Sequence, residues 1–440
     1  MKLYLFFIAF LLTGCTTQNI KIPNSQFNSS TNNAIKHFAL VATSSTLTID
    51  EGIVHKGFTY NGTTPGPLLL VNEGDEVEIT IKNEDKVTHG LSMHAANTQT
   101  SLQVGNLKAG ETKTLNFKAT TPGVYMYHCA PGGHGIMTHT MGGMFGMLVV
   151  EPKQKFALEE QLGRKPDLKI YIAQHETYAN GRDFFDGKPL YVAFNGYNFR
   201  YVNEPIMVKP GDYIRFYYLN VGPNLTATFH AVGGIWNYVY SQGNPANKMT
   251  GGQSIIAGPS DSYVIDWQVP SKGPFTLVSH ALGTQAAKGA VGIIKAQHDI
   301  EHPLFVRSEG PKLPLPTQPK RIIDPFGIGS SDIDKMRHFH TDDSIFIEMV
   351  GNSFNPKRVE IPVGTTVTWI NEDVFDALDG ERSGKHSVFG TSNTDSFASD
   401  ALLHADQYQF TFTKPGYYEY NCPLHPYMKG NIRVYENKKN

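Results

Sequence analysis

"ATTPGVYMYHCA", residues 119–130, is a turn followed by an alternating aromatic run that ends on a histidine and a cysteine side by side. The plan recurs twice, in "VPSKGPFTLVSHALG" (269–283) and "FTKPGYYEYNCPLH" (412–425). Laid over one another, His128-Cys129 falls against His280-Ala281 and against Asn421-Cys422. Each copy has a matching lead-in: "VNEGDEVEITIKNED" (71–85) before His89, "VKPGDYIRFYYLNVG" (208–222) before His230 and "IPVGTTVTWINED" (361–373) before His386. Val, Ile, Thr, Tyr and Phe alternating between Gly, Pro and Asn-Asp turns make a strand pattern, and long helical periodicity is scarce. A repeat of domain size in such a pattern predicts an all-β chain of three consecutive Greek-key β-sandwich domains.

The 440 residues, 40% of them hydrophobic, suffice for three cores. Residues 38–152, 153–298 and 336–440 are the expected domains, and the Pro-rich stretch 299–335, with "EGPKLPLPTQPKRIIDPFG" at its centre, reads as a linker. A net charge of −2 with interspersed charges argues against nucleic-acid binding. At the N-terminus, Lys2, the apolar run to Leu12 and then Thr13-Gly14-Cys15 read as a secretory signal too short to span a bilayer. A cysteine after a small-residue site resembles a bacterial lipobox, so residues 1–15 are expected to end on a lipidated Cys15 and the polar residues 16–37 to form a tether. The expected location is the bacterial cell envelope, lipid-anchored on the periplasmic face of the outer membrane.

With Cys15 lipidated, only Cys129 and Cys422 remain of the three cysteines. They could pair as a disulfide, but their surroundings read as ligand sets. "CPLHPYM" offers a thiolate, an imidazole and a thioether at Cys422, His425 and Met428, with His386 arriving from upstream; His404 is the alternative upstream ligand. One Cys, two His and a weak axial Met form the blue-copper electron-transfer arrangement. Domain one repeats this with Cys129 and His89, completed by His139 and Met144 or by His134 and Met137. Adjacent side chains on a strand point to opposite faces. If Cys129 faces a copper inside the domain, His128 faces out and can hold a second metal, on the order of 10 Å away. His94 and His280 lack partners in any blue-copper set, and three imidazoles from three strands would make a type 2 copper site.

On these motifs, domains one and two resemble the copper-containing nitrite reductases, and domain three resembles an amicyanin- or plastocyanin-like cupredoxin fused behind them. The resemblance implies cupredoxin folds and copper as cofactor, two type 1 and one type 2 per chain. His89, Cys129, His139 and Met144 match the family's type 1 ligands, and His94 and His128 two of its type 2 ligands. The third comes from a neighbouring subunit and matches His280, which implies a homotrimer. It also implies nitrite as substrate, reduced with one electron and two protons to nitric oxide and water, and an external donor such as a c-type cytochrome or another cupredoxin. At the family's two proton-relay positions this chain has Ser92, in "HGLSMH", and Ile235, in "HAVGGIW". Neither is a general acid near neutral pH.

That departure keeps a second reading open, an electron carrier or a copper oxidoreductase with another small substrate. A multicopper oxidase would need several His-x-His pairs, and only His338-Phe339-His340 has that form. His175, His298 and His302 fit no metal set, and Met93, Met137, Met141 and Met147 read as packing residues.

Overall fold

The computed structural model describes residues 35–131, 139–179, 183–184, 186–301, 303–325, 337–338, 345–350, 353–371, 384–393, 395–403 and 405–436. The expected signal, Cys15 and residues 16–34 of the expected tether lie outside them, as do His134, Met137, His302 and His404; residues 35–37, expected in the tether, instead open the strand Ile35–Asp50 by pairing with Glu76, Val77 and Glu78. The described chain is dominated by strands, arranged as three cupredoxin-like sandwiches.

In the first sandwich, Ile35–Asp50, Ile53–Tyr60, Glu76–Asn83 and Thr112–Lys118 form one sheet, and Leu69–Asn72, Phe145–Glu151, Gly123–His128 and Ser92–Met93 the other. Alternation decides which residues meet between them. Leu40, Ile79, Ile81, Leu115, Tyr127 and Leu148 interdigitate there. The second sheet is apolar on its other face as well: Val124, Met126, Met147 and Val149 pack on Tyr171, Leu219, Tyr240 and Val264 of the second sandwich. That double burial explains the unbroken apolar run "FGMLVV", because a strand with no solvent face has no reason to alternate. Each large apolar side chain fully buried in this way contributes about 1.5–3 kcal/mol.

The same local devices recur in the repeats. Asn83, Asn220 and Asn371, at corresponding places in the three lead-ins, are all fully buried. Asn83 Nδ2 donates to the carbonyls of Val87 and Leu107, both at 2.8 Å, and Asn371 Nδ2 to those of Gly384 and Leu402 at 2.7 and 2.8 Å. Asn220 Nδ2 does the same to Leu225 and Ala257, at 2.9 Å each. In domains one and three the clamped carbonyl belongs to the residue that pairs with the upstream histidine, His89 with Leu107 and His386 with Leu402. An amide with two donors thereby fixes where each histidine leaves its strand. Likewise Tyr127 and Tyr420, two residues before each cysteine, lie over Gly146 and Gly430 on the next strand, where an added Cβ would sit 2.3 Å from the ring. Only glycine permits that approach.

Pro-rich composition predicts a linker over 299–335, and its described part lies as a strap along the first two sandwiches. Phe305–Val306 pairs with Leu168–Thr177 of the second sandwich, and Arg321–Ile323 adds a parallel edge strand to Ile53–Tyr60 of the first. Between them Gly310 N donates to Pro65 O at 2.9 Å and Thr48 Oγ1 to Pro314 O at 2.9 Å. Lys320 and Asp324 then pair with Glu51 and Lys56 at 3.1 and 3.4 Å.

Candidate metal centres

Cys129 directly follows the strand Gly123–His128, and its side chain joins Tyr127 in the core of the first sandwich. His89 Nδ1 and His139 Nδ1 lie 3.7 and 3.3 Å from its Sγ and 3.1 Å from each other. His139 and Met144 are joined by a short loop that closes on itself: Met144 N donates to His139 O and Cys129 N to Met144 O, both at 3.0 Å. Met144 is fully buried, in the same apolar cluster as Cys129. Phe58 packs on both imidazoles, with centroids 5.2 Å from His89 and 4.2 Å from His139. Gly90 N, one residue past His89, donates to Cys129 Sγ at 3.3 Å.

Domain three reproduces the arrangement. Cys422 Sγ lies 3.8 Å from His386 Nδ1 and 3.6 Å from His425 Nδ1, Ser387 N donates to the sulfur at 3.4 Å, and Met428 is buried beside them. Of the upstream candidates, His386 is the one whose ring reaches Cys422 among the described residues. Both cysteines are free rather than joined.

These donors suit a soft cation. Burial pushes the Cys129 thiol well above its ordinary pKa despite the Gly90 N–H, and burial together with the neighbouring His89 holds His139 well below 6.5. Burial also raises Cys422, but hydrogen bonds from His386, His425 and Ser387 outweigh it and bring that thiol to about 5. Neutral imidazoles and a thiolate are what a copper ion binds, and its charge would offset the cost of burying the thiolate.

His128 takes the opposite face of its strand, with Val124 and Met126, so it leaves the first core on the side of the sheet that the second sandwich covers. Its Nδ1–H donates to Cys129 O at 2.9 Å, which leaves Nε2 with a free lone pair. That lone pair faces His94 Nε2 at 3.2 Å. His94 Nδ1 is bound in turn by Ser260 Oγ of the second sandwich, at 3.1 Å. A hydroxyl can donate or accept. One proton lies between the two Nε2 atoms; His94 and His128 would hold a metal through these nitrogens, and Ser260 would then accept from His94 Nδ1–H. Burial lowers both imidazoles, His128 to about 4, so the pair stays neutral and available.

His280 is not brought to this pair within one chain. It stands exposed at the end of Gly273–Ser279, its ring 5.5 Å from that of His230, whose Nδ1–H donates to Gln253 O at 2.6 Å. Ser92 pairs across the sheet with His128 and helps line an open polar cleft of about 510 Å³ with His94, Asn97, Thr98 and Gln99. Ile235 is 71% exposed. His175 is buried and accepts Gly196 N–H at 3.0 Å, His298 is exposed, and Met93, Met141 and Met147 are core residues. Sequence reading missed Ser260, and also Asp85, which pairs with His89 Nε2 at 3.2 Å.

Two family models match the chain: multicopper oxidase over residues 41–155, and copper binding proteins of the plastocyanin/azurin family over 347–435. The copper-containing nitrite reductase of Neisseria meningitidis serogroup A is 33% identical over 269 residues, 57% of this chain and 67% of that protein. The chain belongs to the copper-containing nitrite reductases. It spans about two thirds of the length of the Neisseria relatives, 66% for serogroup B. Among solved structures, a copper-containing nitrite reductase from Thermus scotoductus SA-01 is 54% identical with a TM-score of 0.80, covering 92% of this chain and 100% of that one. The enzyme from Nitrosomonas europaea is 32% identical, with a TM-score of 0.56 over 61% of this chain and 96% of its own. In this family setting, residues 347–435 are a cupredoxin domain fused behind the reductase domains.

Proposed function

We propose that the chain reduces nitrite to nitric oxide and water, taking up one electron and two protons, with the third sandwich as a built-in electron relay. Copper, when bound, supplies one-electron chemistry at the two Cys-His-His-Met sets and a Lewis-acidic position for a small anion at His94 and His128. The observation that carries the reading is that His128 and Cys129, neighbours on one strand, belong to separate donor sets. Those sets are therefore joined by the shortest covalent path that two adjacent residues allow.

The chain's own residues prepare the reaction in three ways. His128 and His94 present Nε2 atoms whose orientation is held by Cys129 O and Ser260. Ser92, Asn97, Thr98 and Gln99 give the adjoining cleft uncharged hydrogen-bonding groups suited to a small anion and ordered water. Ser92 orients water rather than donating its own proton, and Ile235 contributes only apolar surface.

A homotrimer supplies the third imidazole. His280 projects from a face where Val232, Ile235, Ile256 and Leu282 are exposed at 48%, 71%, 68% and 56%. An apolar rim around an incomplete ligand set suits burial against the His94–His128 face of a neighbouring copy. An external cupredoxin or c-type cytochrome would reduce the Cys422 site. Lipidation of Cys15 would hold the trimer at the periplasmic face of the outer membrane.

The test is an anaerobic assay with reduced dye and nitrite. The reading expects nitric oxide from the native chain and none above background from His94→Ala. Equal output from the two would overturn it. The electron-carrier reading is favoured by Ser92 and Ile235, since neither is an acid. It requires that the native chain bind copper only at the two thiolate sets, with no type 2 signal in electron paramagnetic resonance.

A further inference from the structure

Asp85 lies four residues before His89, in the turn that follows Glu76–Asn83. Three contacts fix its carboxylate: Ser44 Oγ–H donates to Oδ2, Lys86 N donates to Oδ1 at 2.6 Å, and His89 Nε2 approaches Oδ2 at 3.2 Å. The side chain is 10% exposed and that of His89 is fully buried. The carboxylate that accepts from Ser44 and Lys86 also accepts from His89, so the His89 N–H is the one at Nε2. Nδ1, aimed at Cys129 Sγ and His139, carries the lone pair.

We propose that Asp85 is a positioning residue that locks the ring and tautomer of His89 and lowers the reduction potential of the copper held by His89, Cys129, His139 and Met144. The proposal rests on reading that set as a type 1 copper site. A carboxylate behind a ligand imidazole raises the basicity of the ligand and sets its orientation. Its negative charge, one ring away from the ion, favours Cu(II) over Cu(I) in a site that excludes water. The redox step is one electron, from an external reductant, converting Cu(II) to Cu(I). The electron moves alone, with no bond made or broken at Asp85. A lower potential here makes the reduced domain-one copper a better donor to the His94–His128 site.

The experiment is spectroelectrochemical titration of the thiolate-to-copper absorption in the full chain carrying Cys422→Ser, so that only the Cys129 site reports. Asp85→Asn keeps size and an acceptor oxygen but removes the charge. It should raise the potential by at least the equivalent of a tenfold change in the Cu(II)/Cu(I) affinity ratio, about 59 mV for one electron. Asp85→Glu restores the charge and should bring the potential back towards the parent value. Absence of the absorption in the parent chain would overturn the copper site itself. Absorption present, with the Asp85→Asn potential unmoved or lowered, would overturn the role of Asp85 alone.

Discussion

His55→Leu should remove part of the protein's acid lability. His55 is 4% exposed in the strand Ile53–Tyr60, its Nε2 has no hydrogen-bond partner, and burial lowers it from 6.5 to about 4. His175, lowered mainly by burial and then by His55 to about 3, is its neighbour across the domain boundary. Above pH 6.5 both imidazoles are neutral, folded or unfolded, and there is no pH-dependent cost. Below 6.5 the unfolded chain binds a proton at position 55 that the folded chain refuses until pH falls to about 4, so stability declines through that window. For pKa values of 6.5 and about 4, the loss from His55 at pH 4.5 is about 2–3 kcal/mol, at 1.36 kcal/mol per pH unit. Leucine takes up no proton. Urea unfolding of the copper-loaded chain, followed by circular dichroism at pH 7.5 and 4.5, should therefore show the variant gaining about 2–3 kcal/mol relative to the parent on acidification. Parallel pH profiles for the two proteins would refute the reasoning. A folded chain that accepts the proton freely would mean that the pocket is wet.

Two further outcomes test the type 2 site. Ser260 adopts φ 68°, a left-handed backbone that glycine tolerates better, so Ser260→Gly should hold or raise thermal stability while deleting the contact to His94. Type 2 copper retained on dialysis against chelator should fall by 10–100-fold in affinity, and unchanged retention would make the hydroxyl incidental. If the proposed trimer forms, His94→Ala and His280→Ala should each abolish the type 2 resonance when expressed alone and recover part of it when co-expressed, because mixed trimers would contain some interfaces with both imidazoles intact; no recovery would place His280 outside the site.

The donor sets were legible because in each thiolate site the upstream histidine follows a repeated lead-in, and a cysteine at the end of a repeated aromatic strand is conspicuous in a chain with so few. The all-β class followed from period-two alternation. Other features were not legible, for identifiable reasons. Ser260 reaches His94 across 166 residues, and nothing in "AGPSDS" distinguishes its hydroxyl from that of any turn serine. Asp85 was closer to visible, four residues ahead of a predicted ligand, but "NED" reads first as a turn. The strap's pairing was not visible because prolines lack the N–H that a strand usually donates. Here Gly310 donates its N–H to Pro65 of domain one, Pro314 contributes a carbonyl, and the pairing is carried by Arg321, Ile322 and Ile323.

That strap gives the sheet a selvedge. Without Arg321–Ile323, the strand Ile53–Tyr60 would become the outermost of its sheet and expose a row of unpaired backbone groups to any passing chain. Shortening the protein to its first two domains by cutting at residue 298 would thus fray domain one and invite aggregation, whereas a cut after Pro325 would keep the hem sewn.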